Sequence, residues 1–315
     1  MQQMTNENCD LVIVGGGPAG MSAALVAGRA LLNTLVVNAE SPRNMVTTAS
    51  HGFLTRDGVH PLELMEIAKQ QLEKYDTVTY MKGFVTDVEK LEKGFQVTTG
   101  DGKTFTTDNI IFATGYKEDV GKSNLPGIEK VYGKSVYPCP FCDGWEHRGQ
   151  KLALFDDTEI ALEFAKIIAN WSNDLIIFTN GKQAISAENK RLLQNGGISV
   201  VEEPIAELMA DDQGGLQFVL LENGAKVARE AGFLMNTYQE PSTYLPEKLG
   251  VLKTASVWGM EMLDADESGK TSIEGLYIVG DAKTGFSGIV AAANDGASCV
   301  EAIVHDRVAA YWLSL

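Results

Sequence analysis

The sequence predicts an α/β protein made of two Rossmann-like, three-layer ββα domains. Two stretches carry that expectation. Residues 11–37 run strand, glycine turn, helix, strand, and residues 151–165 repeat strand, turn and helix with a different turn. A chain of 315 residues is long enough for two such domains with separate cores.

Taken in order, residues 11–14 are a short apolar run and predict a buried strand. The turn Gly15-Gly16-Gly17-Pro18-Ala19-Gly20 follows, then an apolar helix over 21–31 and a second strand over 35–37. The unit spans roughly 30 residues, the length of a dinucleotide-binding βαβ. Residues 60–75 predict an amphipathic helix starting near Pro61. Residues 77–112 alternate around Gly100-Asp101-Gly102, which predicts a strand meander. The run NIIFATG is a buried strand ending at Gly115. Residues 116–134 are polar, with Pro and Gly, and read as a crossover linker. The second βα pattern opens at Lys151, and DLIIFTNG is its next strand. SAENKRLLQNGG is helix-like, and strands are predicted near 198–201, 216–221 and 231–235. Residues 276–279 predict a strand, followed by a Gly280-Asp281 turn and a long helix from about Gly288.

The net charge is −16, from 42 acids against 26 bases. That argues against nucleic-acid and anionic-membrane partners, which need basic patches. There is no signal-peptide pattern and no membrane-length apolar run, so a cytoplasmic placement is expected. Four cysteines are present, and only Cys139 and Cys142 are close in sequence. A lone C-x-x-C without a secretory signal points to redox or metal chemistry.

Three constellations bear chemistry. In Gly15-x-Gly17-x-x-Gly20 the first glycine permits the turn, and the second lets backbone approach a pyrophosphate. The third lets helix and strand pack closely, so the helix start at Pro18 and Ala19 faces the phosphates. Asn38 or Glu40, at the end of the second strand, is placed for a ribose hydroxyl. In PCPFCDG, Cys139 and Cys142 have the spacing of a reversible disulfide, and Asp143 stands ready to shuttle a proton. The alternatives are a zinc half-site and an inert buried pair. Zinc needs four ligands, and no second Cys or His grouping supplies them, so no metal is expected. Ala113-Thr114-Gly115 and Gly280-Asp281 are weaker ligand-turn signals.

GGGPAG, ATG at 113–115, C-x-x-C-D-G at 139–144 and GDA at 280–282 stand in this order. The order resembles the low-molecular-weight thioredoxin reductases. HGFLTRDG at 51–58, CPFCDGWE and LYIVGDA are similar to the thioredoxin-reductase-like bacterial flavoproteins. The resemblance implies a discontinuous FAD domain, 1–117 and 246–315. An inserted domain, 118–245, would carry the C-x-x-C and normally NADPH. It implies that Gly15, Gly17 and Gly20 hold the FAD pyrophosphate and that Asp281 holds the ribityl chain. The helix start near Ile289 would face the flavin's pyrimidine end. Cys142 would face the flavin, Cys139 would attack a partner disulfide, and Asp143 would be the acid. Arg56 would touch FAD or else form a loop ion pair. A homodimer, and a thioredoxin-like protein or small dithiol or disulfide as substrate, complete the picture.

The sequence departs from that family at one place. Members carry a G-x-G-x-x-A turn where this chain has Asp156, Thr158 and Ala161. The basic cluster for a 2′-phosphate is reduced to one lysine in TNGKQA. Asp156, Asp157, Glu159 and Glu163 crowd the helix start, and Asp156 with Glu159 has capping-box spacing. Two like charges near 4 Å repel by roughly 4 kcal/mol at an effective dielectric of about 20. A helix dipole returns only about 0.3–1 kcal/mol. The expected enzyme is therefore an FAD-dependent thiol–disulfide oxidoreductase that does not use NADPH. Its donor would be ferredoxin, flavodoxin or a second FAD stacked on aromatics such as Trp145, Trp171, Tyr238 or Trp258. The alternatives are a dithiol oxidase passing electrons to oxygen, an ordinary NADPH thioredoxin reductase and a non-catalytic redox sensor.

Overall fold

The computed structural model describes residues 7–255 and 261–315. Trp258 falls outside the described residues. Internal contacts divide the chain into two units. One comprises the chain up to Met45, Pro61–Lys117 and the stretch from Pro241. The other comprises Val46–His60 and Glu118–Glu240.

The chain begins β1 (Glu7–Val14), α1 (Pro18–Arg29), β2 (Thr34–Asn38), α2 (Pro61–Leu72), β3 (Val78–Lys82), β4 (Val85–Lys90), β5 (Phe95–Thr99), β6 (Thr104–Phe112) and β7 (Tyr116–Glu118). It continues α3 (Ile128–Val131), β8 (Val136–Tyr137), α4 (Pro140–Asp143), β9 (Leu152–Phe155), α5 (Ala161–Ile168), β10 (Leu175–Phe178), α6 (Ala187–Asn195), β11 (Ser199–Val201), β12 (Ile205–Ala210), β13 (Leu216–Leu221), β14 (Lys226–Ala228) and β15 (Ala231–Leu234). It closes with β16 (Gln239–Pro241), α7 (Leu245–Lys248), β17 (Lys253–Ala255), β18 (Glu261–Leu263), β19 (Leu276–Ile278), α8 (Asp281–Thr284) and α9 (Gly288–Leu313).

In the first unit β3, β2, β1 and β6 pair in parallel, and β19 runs parallel to the end of β6. The start of β6 carries β5 and then β4 antiparallel. Strand β1 shows why the sheet sits mid-unit. Leu11 and Ile13 pack with Ala23 and Ala27 of α1 and with Val300 and Ile303 of α9. Val12 and Val14 point to the opposite core, with Phe95, Val97 and Leu263. Alternate residues reach opposite faces of a strand, so a strand apolar at every position is covered on both sides.

The second unit repeats this logic. A parallel sheet runs β11-β10-β9-β15-β8. Leu152 and Leu154 of β9 face Ala161, Ala165 and Ile168 of α5 and Leu193 of α6. Ala153 and Phe155 face Leu208 and Val219 of the antiparallel sheet β12-β13-β14. Helices, central sheet and outer sheet make the three layers.

Several local expectations change. Helix α1 starts at Pro18, whose fixed φ suits a first helical position, and it ends at Arg29. Leu31 lies beyond it, at φ 59° and 79% exposed. Residues 78–82 are not part of a meander, because β3 pairs in parallel with β2. The supposed linker contains α3, where Ile128 and Val131 are buried. Strand β12 has no signal in sequence. Its pairing with β13 shifts register between Ile205 and Glu207 and again between Met209 and Ala210. Those irregularities break the period-2 pattern that marks a strand.

Candidate functional site

The glycine turn of the first unit is shaped by three tight approaches. Gly15 has φ 101°, and a Cβ there would stand 2.5 Å from the Ala113 carbonyl oxygen. A Cβ on Gly20 would collide with the Gly15 carbonyl, and one on Gly16 with the Asn38 side chain. Gly17 differs: no atom lies within 4 Å of its would-be Cβ. It is the N-cap of α1, no side chain caps that helix, and its first turn carries no acid. The N–H groups at this end are left for a ligand, and the space beside them is open. A pyrophosphate fits that combination.

Other predicted residues surround this turn. Asn38 is buried and donates from Nδ2 to Tyr80 Oη at 2.9 Å. Glu40 sits at φ 56°, with Oε2 2.5 Å from Lys82 Nζ and Oε1 accepting from Tyr80 at 3.2 Å. The Lys82 bond leads the effects that hold its carboxyl below the usual range. Ala113, Thr114 and Gly115 follow directly on β6, and Gly115 has φ 59°. Gly280 has φ 66°, and its N–H donates to Asp295 Oδ2 at 2.7 Å. Asp281 Oδ1 accepts from Ser287 N at 3.0 Å and Ser287 Oγ at 2.6 Å. Ile289 lies in the first turn of α9, which also has no acid and no side-chain cap. Two partners in this region went unnoticed in sequence. Arg43 stands 3.6 Å from Asp281, and Lys283 pairs with Asp295 at 2.5 Å. No local pattern marks either residue, because their partners are distant in sequence.

The dithiol belongs to the second unit. Cys139 is the N-cap of the one-turn helix α4, and Cys142 N–H donates to the Cys139 carbonyl at 3.2 Å. The two sulfurs are 2.7 Å apart, within reach of a disulfide. Cys139 is 8% exposed, and Cys142 is the more open of the two. The Asp143 carboxyl is pushed up to about 7. Burial is the first cause, then the negative charge of a Cys139 thiolate, then Glu146. Burial likewise pushes up the Tyr137 phenol. His51 stands 3.7 Å from Asp57 of its own loop and 3.7 Å from Glu146, so the HGFLTRDG loop reaches Glu146, three residues past Asp143. Arg56 belongs to that loop and to this unit; it is exposed and donates to the Thr55 carbonyl at 2.7 Å. Cys9 and Cys299 are buried elsewhere. Among the described residues, no three His, Cys, Asp or Glu side chains gather into a metal site. Among them, too, no helix is long and apolar enough to cross a membrane.

The acid-filled turn is built differently from its sequence expectation. The capping box between Asp156 and Glu159 does not form. Helix α5 starts at Ala161, its N-cap is Ile160, and no side chain caps it. Asp156 Oδ1 instead accepts from Thr158 N at 2.9 Å and Thr158 Oγ1 at 2.7 Å, closing an Asx turn. Burial raises the Asp156 carboxyl above its ordinary value. Glu159 reaches away, accepting from Ser186 N at 2.7 Å and Asn189 Nδ2 at 2.7 Å. Asp157 pairs with Lys182, the one lysine of the following loop. The turn after β9 and the loop after β10 are thus fastened together by acid side chains. Between them lies a recess lined by Phe155, Phe178, Asp156, Asp157, Asn180 and Tyr238.

A family model described as pyridine nucleotide-disulphide oxidoreductase matches residues 9–296. A putative thioredoxin reductase, TrxB, from Bacillus anthracis has a solved structure that is 33% identical, with a TM-score of 0.87. That alignment covers 95% of this chain and 98% of the other. A probable thioredoxin reductase from Arthroderma benhamiae is 27% identical over 302 residues, 87% of this chain and 74% of its own. A relative from Pseudomonas fluorescens, 28% identical over 309 residues and 94% of each chain, bears the name glucosaminate ammonia-lyase. Names among relatives therefore differ in the reaction they state.

Proposed function

Because the chain belongs to the pyridine nucleotide-disulphide oxidoreductase family, we propose that it is an FAD-dependent thiol–disulfide oxidoreductase whose Cys139–Cys142 pair exchanges electrons with the flavin, and that NADPH is not its donor. The family implies FAD, and the open start of α1 fits the cofactor. Gly15, Gly17, Pro18, Ala19 and Gly20 would hold its pyrophosphate. Asn38 and Glu40 are placed for the ribose, and Ala113, Thr114, Gly115, Gly280, Asp281 and Ile289 for the rest. Bound there, FAD supplies a two-electron carrier between the dithiol and an outside partner.

The protein's own groups divide the remaining work. Cys142 is the sulfur assigned to the flavin side, and Cys139 the sulfur that attacks a partner disulfide. Asp143 keeps a proton near neutral pH and gives it to the Cys139 thiolate or to the departing thiolate of the partner. A thioredoxin-type protein suits the relatives' names, and a small dithiol or disulfide is the alternative substrate.

One observation carries the exclusion of NADPH: the turn at Asp156–Glu159 binds its neighbouring loop where a phosphate turn would be empty. The contrast with the Gly17 end of α1 lies within one chain. There the helix start is open and free of acid, whereas here three carboxylates hold five donor groups. An incoming pyrophosphate has to displace those bonds and face like charge. Although the family is named for a pyridine nucleotide, this turn lacks the glycines and carries carboxylates where the nucleotide's phosphates would sit. The donor is then a one-electron protein such as ferredoxin or flavodoxin, or a second FAD, and the enzyme a cytoplasmic homodimer.

The test is anaerobic titration of the flavin-loaded protein with NADPH and then NADH, watching the flavin's visible band. Bleaching is expected only with dithionite or a dithiol. Rapid bleaching by NADPH at micromolar levels refutes the reading. Peroxide release on dithiol addition in air would favour the oxidase direction.

A further inference from the structure

Arg43 opens the 3-10 turn Arg43–Val46, shortly after β2. Its guanidinium carbon lies 5.0 Å from the Tyr116 ring centroid and 4.9 Å from that of Phe286. Nη2 stands 3.6 Å from Asp281 Oδ2, and the two side chains are only 22% and 17% exposed. The other oxygen of Asp281 is already taken by Ser287. Four segments therefore meet around one cation: the turn after β2, the residue after Ala113-Thr114-Gly115, the Gly280-Asp281 turn and the approach to α9. All four belong to the first unit. Two of them carry turns expected to hold FAD. Ring faces on the guanidinium and a carboxylate beside it restrict where the charge can go.

We propose that Arg43 is a positioning residue for the flavin: its fixed charge offsets that of Asp281 at the cofactor site, so that the flavin's reduction potential is higher than it would be beside an uncompensated carboxylate. The proposal needs bound FAD and does not depend on which donor reduces it. Two-electron reduction takes up two electrons and one proton and leaves one negative charge on the flavin. A nearby cation favours that product, and an uncompensated carboxylate opposes it.

The experiment measures the reduction potential of flavin-loaded wild-type, Arg43→Gln, Arg43→Lys and Asp281→Asn proteins. Each is equilibrated anaerobically with a reference dye, and a thermal melt runs in parallel. Arg43→Gln keeps a planar hydrogen-bonding group and removes the charge. Its potential is expected to fall by about 30 mV or more, which is a tenfold change in equilibrium for a two-electron couple. Arg43→Lys keeps the charge and should stay within about 10 mV, roughly a twofold change. Asp281→Asn should move the potential upward. An Arg43→Gln protein that melts lower but keeps the wild-type potential overturns the proposal, because Arg43 is then only a loop staple. Should Arg43→Gln hold no FAD even in excess, Arg43→Lys decides. Retained flavin at an unchanged potential supports the charge role, and lost flavin in that variant also overturns it.

Discussion

Asp143→Asn tests the assignment of the dithiol's acid without touching either sulfur. In the folded chain the Asp143 carboxyl is pushed from 3.8 up to about 7, by burial first and the Cys139 thiolate second. In the unfolded chain it ionises at its ordinary value. Between those pH values the folded state holds one proton more than the unfolded state, so raising the pH destabilises the fold. With the carboxyl raised from 3.8 to about 7, at about 1.4 kcal/mol per pH unit the loss approaches roughly 4 kcal/mol above pH 7. Asparagine has the same shape and does not titrate. The variant's stability relative to wild type should therefore climb by up to about 1.4 kcal/mol per pH unit from about pH 4 to 7 and then level off. Urea unfolding of the reduced proteins at several pH values from 5 to 8.5 measures this difference. Oxidising the pair to a disulfide removes the thiolate's part and leaves the larger part, burial, so the rise should shorten and persist. A difference that stays flat with pH would show that Asp143 is ionised throughout and cannot be the acid. Turnover of a dithiol should fall about 10²–10⁴-fold in the same variant, the usual range for a lost general acid.

Gly20→Ala forces a methyl into the Gly15 carbonyl, so it should abolish FAD retention, read as flavin absorbance after gel filtration. Cys142→Ser should keep its flavin and lose thiol–disulfide turnover entirely; residual turnover above background would remove the dithiol from the reaction. Arg229, 7% exposed, donates to the carbonyls of Leu152 and Asp174 and to the Asp174 carboxylate at 2.6 Å. Arg229→Ala should destabilise the second unit by about 2–4 kcal/mol in urea melts. The Cys299 thiol is raised by burial, with the Asp295 charge the next largest cause. It should resist iodoacetamide in the folded protein and react only on unfolding, whereas Cys142 is labelled at once.

The two βα units were legible because β1 and β9 are short apolar runs followed by turns of recognisable type. Gly15, Gly17 and Gly20 show their purpose in the order of residues alone: Gly15 and Gly20 answer to close backbone approaches, and Gly17 keeps open the space beside the helix start. Strand β12 stayed hidden because two register shifts scramble its alternation. The pairing of β3 with β2 was equally invisible, because nothing in residues 78–82 says whether the neighbour is upstream or downstream. At the site, Cys139, Cys142 and Asp143 announce themselves by adjacency. Arg43 and His51 do not, because each acquires its meaning from a partner far along the chain, Asp281 and Glu146. The four acids after β9 were visible, but their use was not. Spacing suggested that they cap their own helix, and the side chains of Asp157 and Glu159 turned out to reach the next loop instead.

That reach gives the second unit a kind of memory. Asp157 cannot be replaced without stranding Lys182, and Glu159 cannot be replaced without releasing Ser186 and Asn189. A single glycine put back at 156 or 158 would meet the remaining acids, and a single acid removed would leave the turn still lacking glycine. Every first step toward a phosphate cradle loses an existing bond before it gains a ligand. The present arrangement is a ratchet, and the way back requires several changes at once.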